Sequence, residues 1–262
     1  MTSLVHTLTR DEIFQKVIAL QKEGKLYDLS DPIHDDVFLG SVDRFADIAF
    51  RLRRCRKVLD VGAGHGLLLS ILNNLGHECY GVDYTDQTER YPEIYRSRPI
   101  YFQVSNAEVD PLPYAEDSFD AVTCCQVLEH FTHSHLPLML EIRRVLRPGG
   151  IAEVDVPNAV SFRNRSRVLR GKHITYDYES HYLRVEPILY KGMSFYPVRH
   201  NREFTAAELH ILFKAAGFRN IQVSFLRSRR YREGVRRIMS LGTILRDAVP
   251  SLRKSLIAFA EK

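Results

Sequence analysis

Residues 58–66 read VLDVGAGHG, an apolar run closing on Asp60 and followed by glycines at 62, 64 and 66. Valine and leucine favour an extended strand, and glycines at alternate positions let the chain turn tightly while its backbone approaches a ligand with no Cβ in the way. The apolar stretch LLLSILNNL (67–75) comes next, so the loop leads into a helix whose first N–H groups are free to meet a ligand. Such a strand, loop and helix form a cradle for a nucleotide-type cofactor. The spacing is GxGxG rather than the GxGxxG of dinucleotide folds, and the loop lacks the lysine and Ser/Thr of a phosphate-binding P-loop. A second run, ECYGVDY (78–84), puts Asp83 at a strand end, where a carboxylate accepts from both hydroxyls of a ribose.

Outward from this point the chain alternates strand-like and helical segments: VLDVG, a helix at 65–75, CYGVDY, a polar helical stretch, YFQV, FDAVTCCQV, a helix at 134–146 and GGIAEVDVP. That alternation predicts right-handed crossovers and a mostly parallel sheet with helices on both faces. The helix at 134–146 carries Leu138, Met139, Ile142, Val145 and Leu146 on one side and stops at RPGG. A further helix at 205–216 has Thr205 and Glu208 at capping-box spacing and a stripe of Leu209, Leu212, Phe213 and Ala216. Upstream, Thr9 and Glu12 start a helix over 9–24, and after the turn-rich LSDPIHDD a second helix is expected over 41–54. The segment between Asn158 and Phe204, rich in tyrosine, arginine and histidine, is too long for an ordinary connection and reads as a substrate-recognition insertion.

A chain of 262 residues with 45% apolar content can bury one sizeable core. It has no uninterrupted apolar run long enough for a membrane span, and the start, MTSLVHTLTRDEIF, lacks the pattern of a signal peptide, so a cytoplasmic location is expected. Cys55, Cys79, Cys124 and Cys125 form no CxxC pair and read as buried reduced thiols. The net charge of +5 is concentrated in SFRNRSRVLRGKH (161–173) and FLRSRRYREGVRRI (225–238). Those arginines suit nucleic acid, a diphosphate-linked substrate or a membrane surface, and equally a solvated face.

VLDVGAGHG, the acid of GVDY, NAEVDPLPYAEDSFDAVTCCQVLEHF and RRVLRPGG, in this order, resemble the successive motifs of class I S-adenosylmethionine-dependent methyltransferases of the type 11-like kind. The resemblance covers about residues 55–158. It implies a Rossmann-like, doubly wound, mostly parallel seven-stranded sheet, with an antiparallel strand supplied by the last segment, SLIAFAEK. Residues 1–54 would form an N-terminal helical cap and 55–262 the methyltransferase domain, with insertions at about 159–203 and, basic and helical, at about 228–252. Carried over by position, Asp60, Gly62, Gly64 and Gly66 would line the methionine part of S-adenosylmethionine, Asp83 would hold the ribose and Tyr84 would lie near the adenine. Asn106 and Ala107 stand where the family often has an Asp-Ala pair at the adenine amino group, and Gln126 would close over the cofactor. S-adenosylhomocysteine would be the product.

Methyl transfer to a hydroxyl requires a proton acceptor, and histidine is the usual one near neutral pH. His130, at the end of the fourth strand, and His181 and His200, in or beside the insertion, are the candidates. His130, His133 and His135 are spaced poorly for a metal, and none is expected. The insertion and HNREFTAAELHILFKAAGF resemble, more loosely, methyltransferases of polysaccharide and glycan biosynthesis, which implies a sugar hydroxyl as acceptor, with arginines for a phosphate or carboxylate. A second reading is a lipid or quinone-like acceptor at the inner face of the membrane, reached through the amphipathic segment YREGVRRIMSLGTILRDAVPSLRK, whose other use is packing on the domain itself or on a second subunit in a homodimer. A third is a nucleic-acid methyltransferase or a non-catalytic module. Against nucleic acid, QVLEH replaces the Asn/Asp-Pro-Pro-aromatic turn that holds a flipped base.

Overall fold

The computed structural model describes residues 4–175, 177–227 and 248–262. Two helices come first, α1 (Arg10–Lys22) and α2 (Pro32–Leu52). Thr9 caps α1 by accepting the Glu12 N–H while its own N–H donates to the Glu12 carboxylate, so two otherwise orphaned donors are satisfied. Helix α2 starts at Pro32 rather than at 41. The residues that read as a turn supply its cap, because the Asp31 carboxylate accepts from the N–H groups of Ile33 (2.8 Å) and His34 (3.4 Å), and proline suits the first helical position.

Then the alternation begins, with β1 (Lys57–Val61), α3 (Leu67–Asn74), β2 (Glu78–Asp83), α4 (Pro92–Tyr95), β3 (Ile100–Val104), β4 (Phe119–Cys125), α5 (Leu136–Val145) and β5 (Leu146–Pro157). The polar stretch expected to be helical yields only the single turn α4. RPGG is not a loop after α5: Leu146 is already extended, and β5 runs through these residues at an irregularity in its pairing with β4. The insertion holds α6 (Phe162–Leu169) and a hairpin of β6 (Ile188–Tyr190) and β7 (Met193–Phe195). Helix α7 (Ala206–Ala215), β8 (Arg219–Leu226) and β9 (Ser255–Glu261) complete the chain. The basic helical insertion expected at about 228–252 lies outside the described residues up to 247, and Pro250–Leu252 form one helical turn.

The seven-stranded sheet has the order β3-β2-β1-β4-β5-β9-β8, with β9 antiparallel to both neighbours and the remaining pairs of the sheet parallel. Helices cover both faces. Val58, Cys79 and Ala121 pack with Val42, Phe45, Leu69 and Leu72 of α2 and α3, and α1 lies in the same cluster. Leu59, Val122 and Val154 pack with Met139 and Ile142 of α5 and Phe213 of α7. Each fully buried valine, leucine, isoleucine, methionine or phenylalanine among them contributes roughly 1.5–3 kcal/mol. Cys124 joins one cluster and Cys125 packs on the other, as adjacent strand residues must, and the four thiols are unpaired. The chain order reverses between β1 and β4, which opens a crevice at their carboxyl ends. Among the described residues no helix is long and apolar enough to cross a membrane.

Candidate active site

The loop after β1 is shaped by positive backbone angles at Gly62 (φ 74°), Gly64 (φ 50°) and Gly66 (φ 74°). Each glycine also has a neighbour. A Cβ on Gly62 would stand 2.3 Å from Val127 Cγ2, and one on Gly66 would stand 2.9 Å from Tyr95 and Ile94 carbons. At Gly64 the backbone N–H donates to Asp83 Oδ2 (2.9 Å), tying the loop to the end of β2. Asp60 lies beneath the loop, buried, and accepts from the Thr123 hydroxyl (2.7 Å). Burial, more than its charged neighbours Asp155 and Asp83, pushes its carboxyl up to about 7.

A cavity of about 230 Å³ opens above this loop. Gly62, Asp83, Tyr84, Asn106, Gln126 and His130 line it. Asp60, Gly64, Gly66 and Ala107 do not line it; Ala107 is partly buried against the apolar cluster that includes α5. Asp83 is buried, and its other oxygen accepts weakly from Thr85 N–H and Gln87. The Asn106 side-chain oxygen accepts from Glu108 N–H (3.1 Å) and keeps a second lone pair for a further donor. The roof comes from the insertion. Ile188, Tyr190, Phe195 and Pro197 cover the crevice, and the hairpin is held down on Asp110 by the Tyr190 hydroxyl and by Lys191 Nζ (2.7 Å).

A second cavity, also about 230 Å³, lies on the other side of Gln126. Its lining is mixed: Arg163, Asn164, His200, Glu203 and Lys254 supply polar groups, and Pro157 and Ile174 apolar surface. Gln126 borders both cavities, held at φ 55° with its side-chain amide donating to Asp155 Oδ1 (2.6 Å) and its N–H to the Asp155 carbonyl (2.9 Å). Asp155 is fully buried and also takes Arg44 Nη1 (2.9 Å), so the floor of the site is an ion pair reaching back to α2. Glu203, 4% exposed, accepts from the Asn164 amide at the start of α6. Of the arginines on that helix, Arg163 faces the cavity, whereas Arg167 Nε donates to the His173 carbonyl (2.7 Å).

The three candidate histidines part company here. His130 Nδ1 donates to the Arg199 carbonyl (2.8 Å), which leaves Nε2 with a lone pair, and burial keeps the ring neutral by lowering its pKa. His200 packs edge-on against it, ring centres 4.9 Å apart at 82°. His181 borders neither cavity; it sits in the turn Glu179–Leu183, where its Nδ1 approaches Ser180 Oγ (2.8 Å) and the Asp177 carbonyl. His133 and His135 also turn elsewhere, to Glu108 and to the Leu128 carbonyl. Arg44, Glu129, Glu203 and Lys254 were not read as site residues. For Arg44 a signal existed, since it shares the i, i+4, i+8 stripe of α2 with buried Ile48 and Leu52, where a charge needs a partner.

A sheet of this order, with a glycine loop and a ribose-type carboxylate at its switch point, defines the fold of S-adenosylmethionine-dependent methyltransferases. The chain belongs to the methyltransferase-domain family, whose model matches residues 35–223. It is 28% identical over 173 residues to a probable S-adenosylmethionine-dependent methyltransferase of Mycolicibacterium smegmatis, covering 63% of this chain and 53% of that one. It is 32% identical over 126 residues to a ubiquinone biosynthesis O-methyltransferase of Idiomarina loihiensis, covering 45% of this chain and 49% of the relative. This chain thus spans about half the length of these curated relatives. Among solved structures it resembles the 1,6-didemethyltoxoflavin-N1-methyltransferase of Burkholderia thailandensis, crystallised with its substrate and S-adenosylhomocysteine (TM-score 0.55, 21% identity, 97% of this chain and 91% of that one).

Proposed function

We propose that this chain moves the methyl group of S-adenosylmethionine onto an oxygen of an acceptor held in the second cavity. The observation that carries the reading is Gln126, which stands between the two cavities. S-adenosylmethionine, when bound, supplies a methyl group on a positively charged sulfur, which leaves as a neutral thioether. The residues present fit it: Asp83 would take the ribose hydroxyls, Tyr84 and Asn106 the adenine, and the Gly62 loop the methionine part. Asp60, Gly64 and Gly66 serve by shaping that loop, and Ala107 by packing behind Asn106.

The chain's own task is alignment and exclusion of water, because an in-line displacement needs little covalent help. The hairpin supplies the exclusion, with Phe195 buried in the roof. As the acceptor oxygen forms its bond to the methyl carbon, its proton must leave, and the lone pair on His130 Nε2 or the His200 ring takes it. His181 borders neither cavity and has no part in this reading.

The lining of the second cavity supports a charged acceptor. Arg163 and Lys254 offer cationic donors to a phosphate or carboxylate, while Asn164, Ser161 and Glu203 offer partners for hydroxyls. These suit a sugar or glycan intermediate carrying a negative charge. The alternative is a lipid or quinone-like acceptor, which the named O-methyltransferase relative favours and which would draw the basic segment 228–252 to a membrane surface.

Calorimetric titration with S-adenosylhomocysteine tests the cofactor, and micromolar binding is expected. Methyl transfer is then assayed against anionic sugars and hydroquinones. An Arg163→Ala variant should raise KM for the anionic sugar with kcat little changed; transfer to the hydroquinone alone, indifferent to Arg163, would overturn the sugar reading. Vesicle sedimentation and light scattering test the membrane contact and a homodimer.

A further inference from the structure

Glu129 is fully buried, and neither of its carboxylate oxygens has a hydrogen-bond partner. A buried carboxylate without compensation is costly, and nothing in the methyl-transfer reading uses this one. Two imidazoles from distant parts of the chain meet it: one ligand atom each of Glu129, His130 and His200 lies within 4.8 Å of the others. The Glu129 carbonyl accepts from Asn201 N–H (2.7 Å) and Arg202 N–H (3.2 Å), and the Asn201 amide donates to the His130 carbonyl (2.6 Å), so the end of the insertion is fastened where it delivers His200.

We propose that Glu129, His130 and His200 bind a divalent transition-metal ion. The imidazoles are prepared for it. His130 gives its Nδ1 proton to a backbone carbonyl, the usual arrangement behind a ligating histidine, and Glu203 Oε1 lies 3.8 Å from His200 Nδ1, on the side where a carboxylate orients a ligand ring. Two imidazole nitrogens and one carboxylate select a borderline cation such as Zn²⁺ or Co²⁺ over Ca²⁺ or Mg²⁺, which prefer oxygen donors throughout. Three protein ligands leave further positions open.

The place of the ion is informative. His130 borders the cofactor cavity and His200 the acceptor cavity, so an ion between them would touch the acceptor oxygen as the methyl arrives. A hydroxyl held there loses its proton to water more easily, its lone pair forms the C–O bond, and the S–C pair returns to sulfur. With the ion bound the two histidines act as its ligands and the proton goes to water; only in the ion-free protein does either ring serve as the base. This role rests on the methyl-transfer reading; binding of the ion does not.

The test is calorimetric titration of untagged, chelator-treated protein with Zn²⁺, backed by the visible spectrum with Co²⁺. One ion per chain is expected, and binding should weaken at least about a hundredfold in Glu129→Gln and in His200→Ala but not in His210→Ala, a surface control. Each variant is also titrated with S-adenosylhomocysteine to show that it is folded. Absence of Zn²⁺ binding by the folded wild type, or equal binding by all variants, overturns the site. Loss of S-adenosylhomocysteine binding by the wild type with ion binding intact would instead defeat the cofactor reading.

Discussion

Replacing Asp83 by alanine should weaken S-adenosylhomocysteine binding about 100-fold while leaving the fold in place. The magnitude comes from the carboxylate's position at the end of β2, facing the first cavity. Hydrogen bonds to a charged acceptor contribute about 1.5–3 kcal/mol each, so two ribose hydroxyls would draw at least about 3 kcal/mol from it. The lower value applies, because in the free protein the same carboxylate already accepts Gly64 N–H at 2.9 Å and shares weaker bonds with Thr85 and Gln87. At about 1.4 kcal/mol per tenfold, the loss is about two powers of ten. The fold should survive, since burial raises the Asp83 pKa in spite of these donors, so the charge is not what stabilises the domain. The assay is calorimetric titration of wild type, Asp83→Asn and Asp83→Ala, with thermal unfolding of each free protein. Asparagine, which keeps one acceptor oxygen, should fall between the two. An alanine variant that binds within about threefold of wild type and melts at the same temperature would refute the ribose assignment.

Three other outcomes are expected. Gly62→Ala should cost about 2–4 kcal/mol, because the new Cβ would lie 2.3 Å from Val127 Cγ2 and the backbone is at φ 74°. Adding Val127→Ala should recover the contact part and leave the backbone strain, and denaturant unfolding of both variants would show a purely additive effect if the contact were unimportant. Arg44→Ala should lose about 3–5 kcal/mol by leaving buried Asp155 without its cation, and an unchanged urea midpoint would refute the ion pair as the support of the site floor. Asp60 should also contribute stability that falls as pH rises, while the partly buried His65, whose pKa burial lowers to about 4, acts in the opposite direction: the folded Asp60 carboxyl holds its proton up to about 7, whereas the unfolded one releases it in the ordinary carboxylate range. The folded state then binds the extra proton, so stability present at low pH is lost between about pH 4 and 7, and Glu153, raised by burial beside Asp155, acts in the same direction. The melting temperature of wild type relative to Asp60→Asn should therefore fall between about pH 4 and 7; a difference that stays constant or grows through this window would contradict the sign.

What could be read from the amino-acid sequence alone was whatever the chain decides over a few neighbouring residues. Thr9 with Glu12 and Thr205 with Glu208 start helices because both partners lie one turn apart, and the glycines of 58–66 announce their loop because only glycine takes those backbone angles cheaply. The alternation of short strands and helices carried the parallel sheet for the same reason. The early start of α2 was missed because Asp31 and Pro32 serve a turn and a helix cap equally well, and packing of Phe38 into the core chose between them. The meeting of Glu129 and His130 with His200, the seat of Arg44 on Asp155, the hairpin fastened to Asp110 and the partition at Gln126 join residues with no local relation. Side-chain type can state that a charge or an imidazole needs a partner. Only the tertiary packing of the insertion and α2 against the sheet decides which partner it meets, because that choice is settled by burial and distance across the fold.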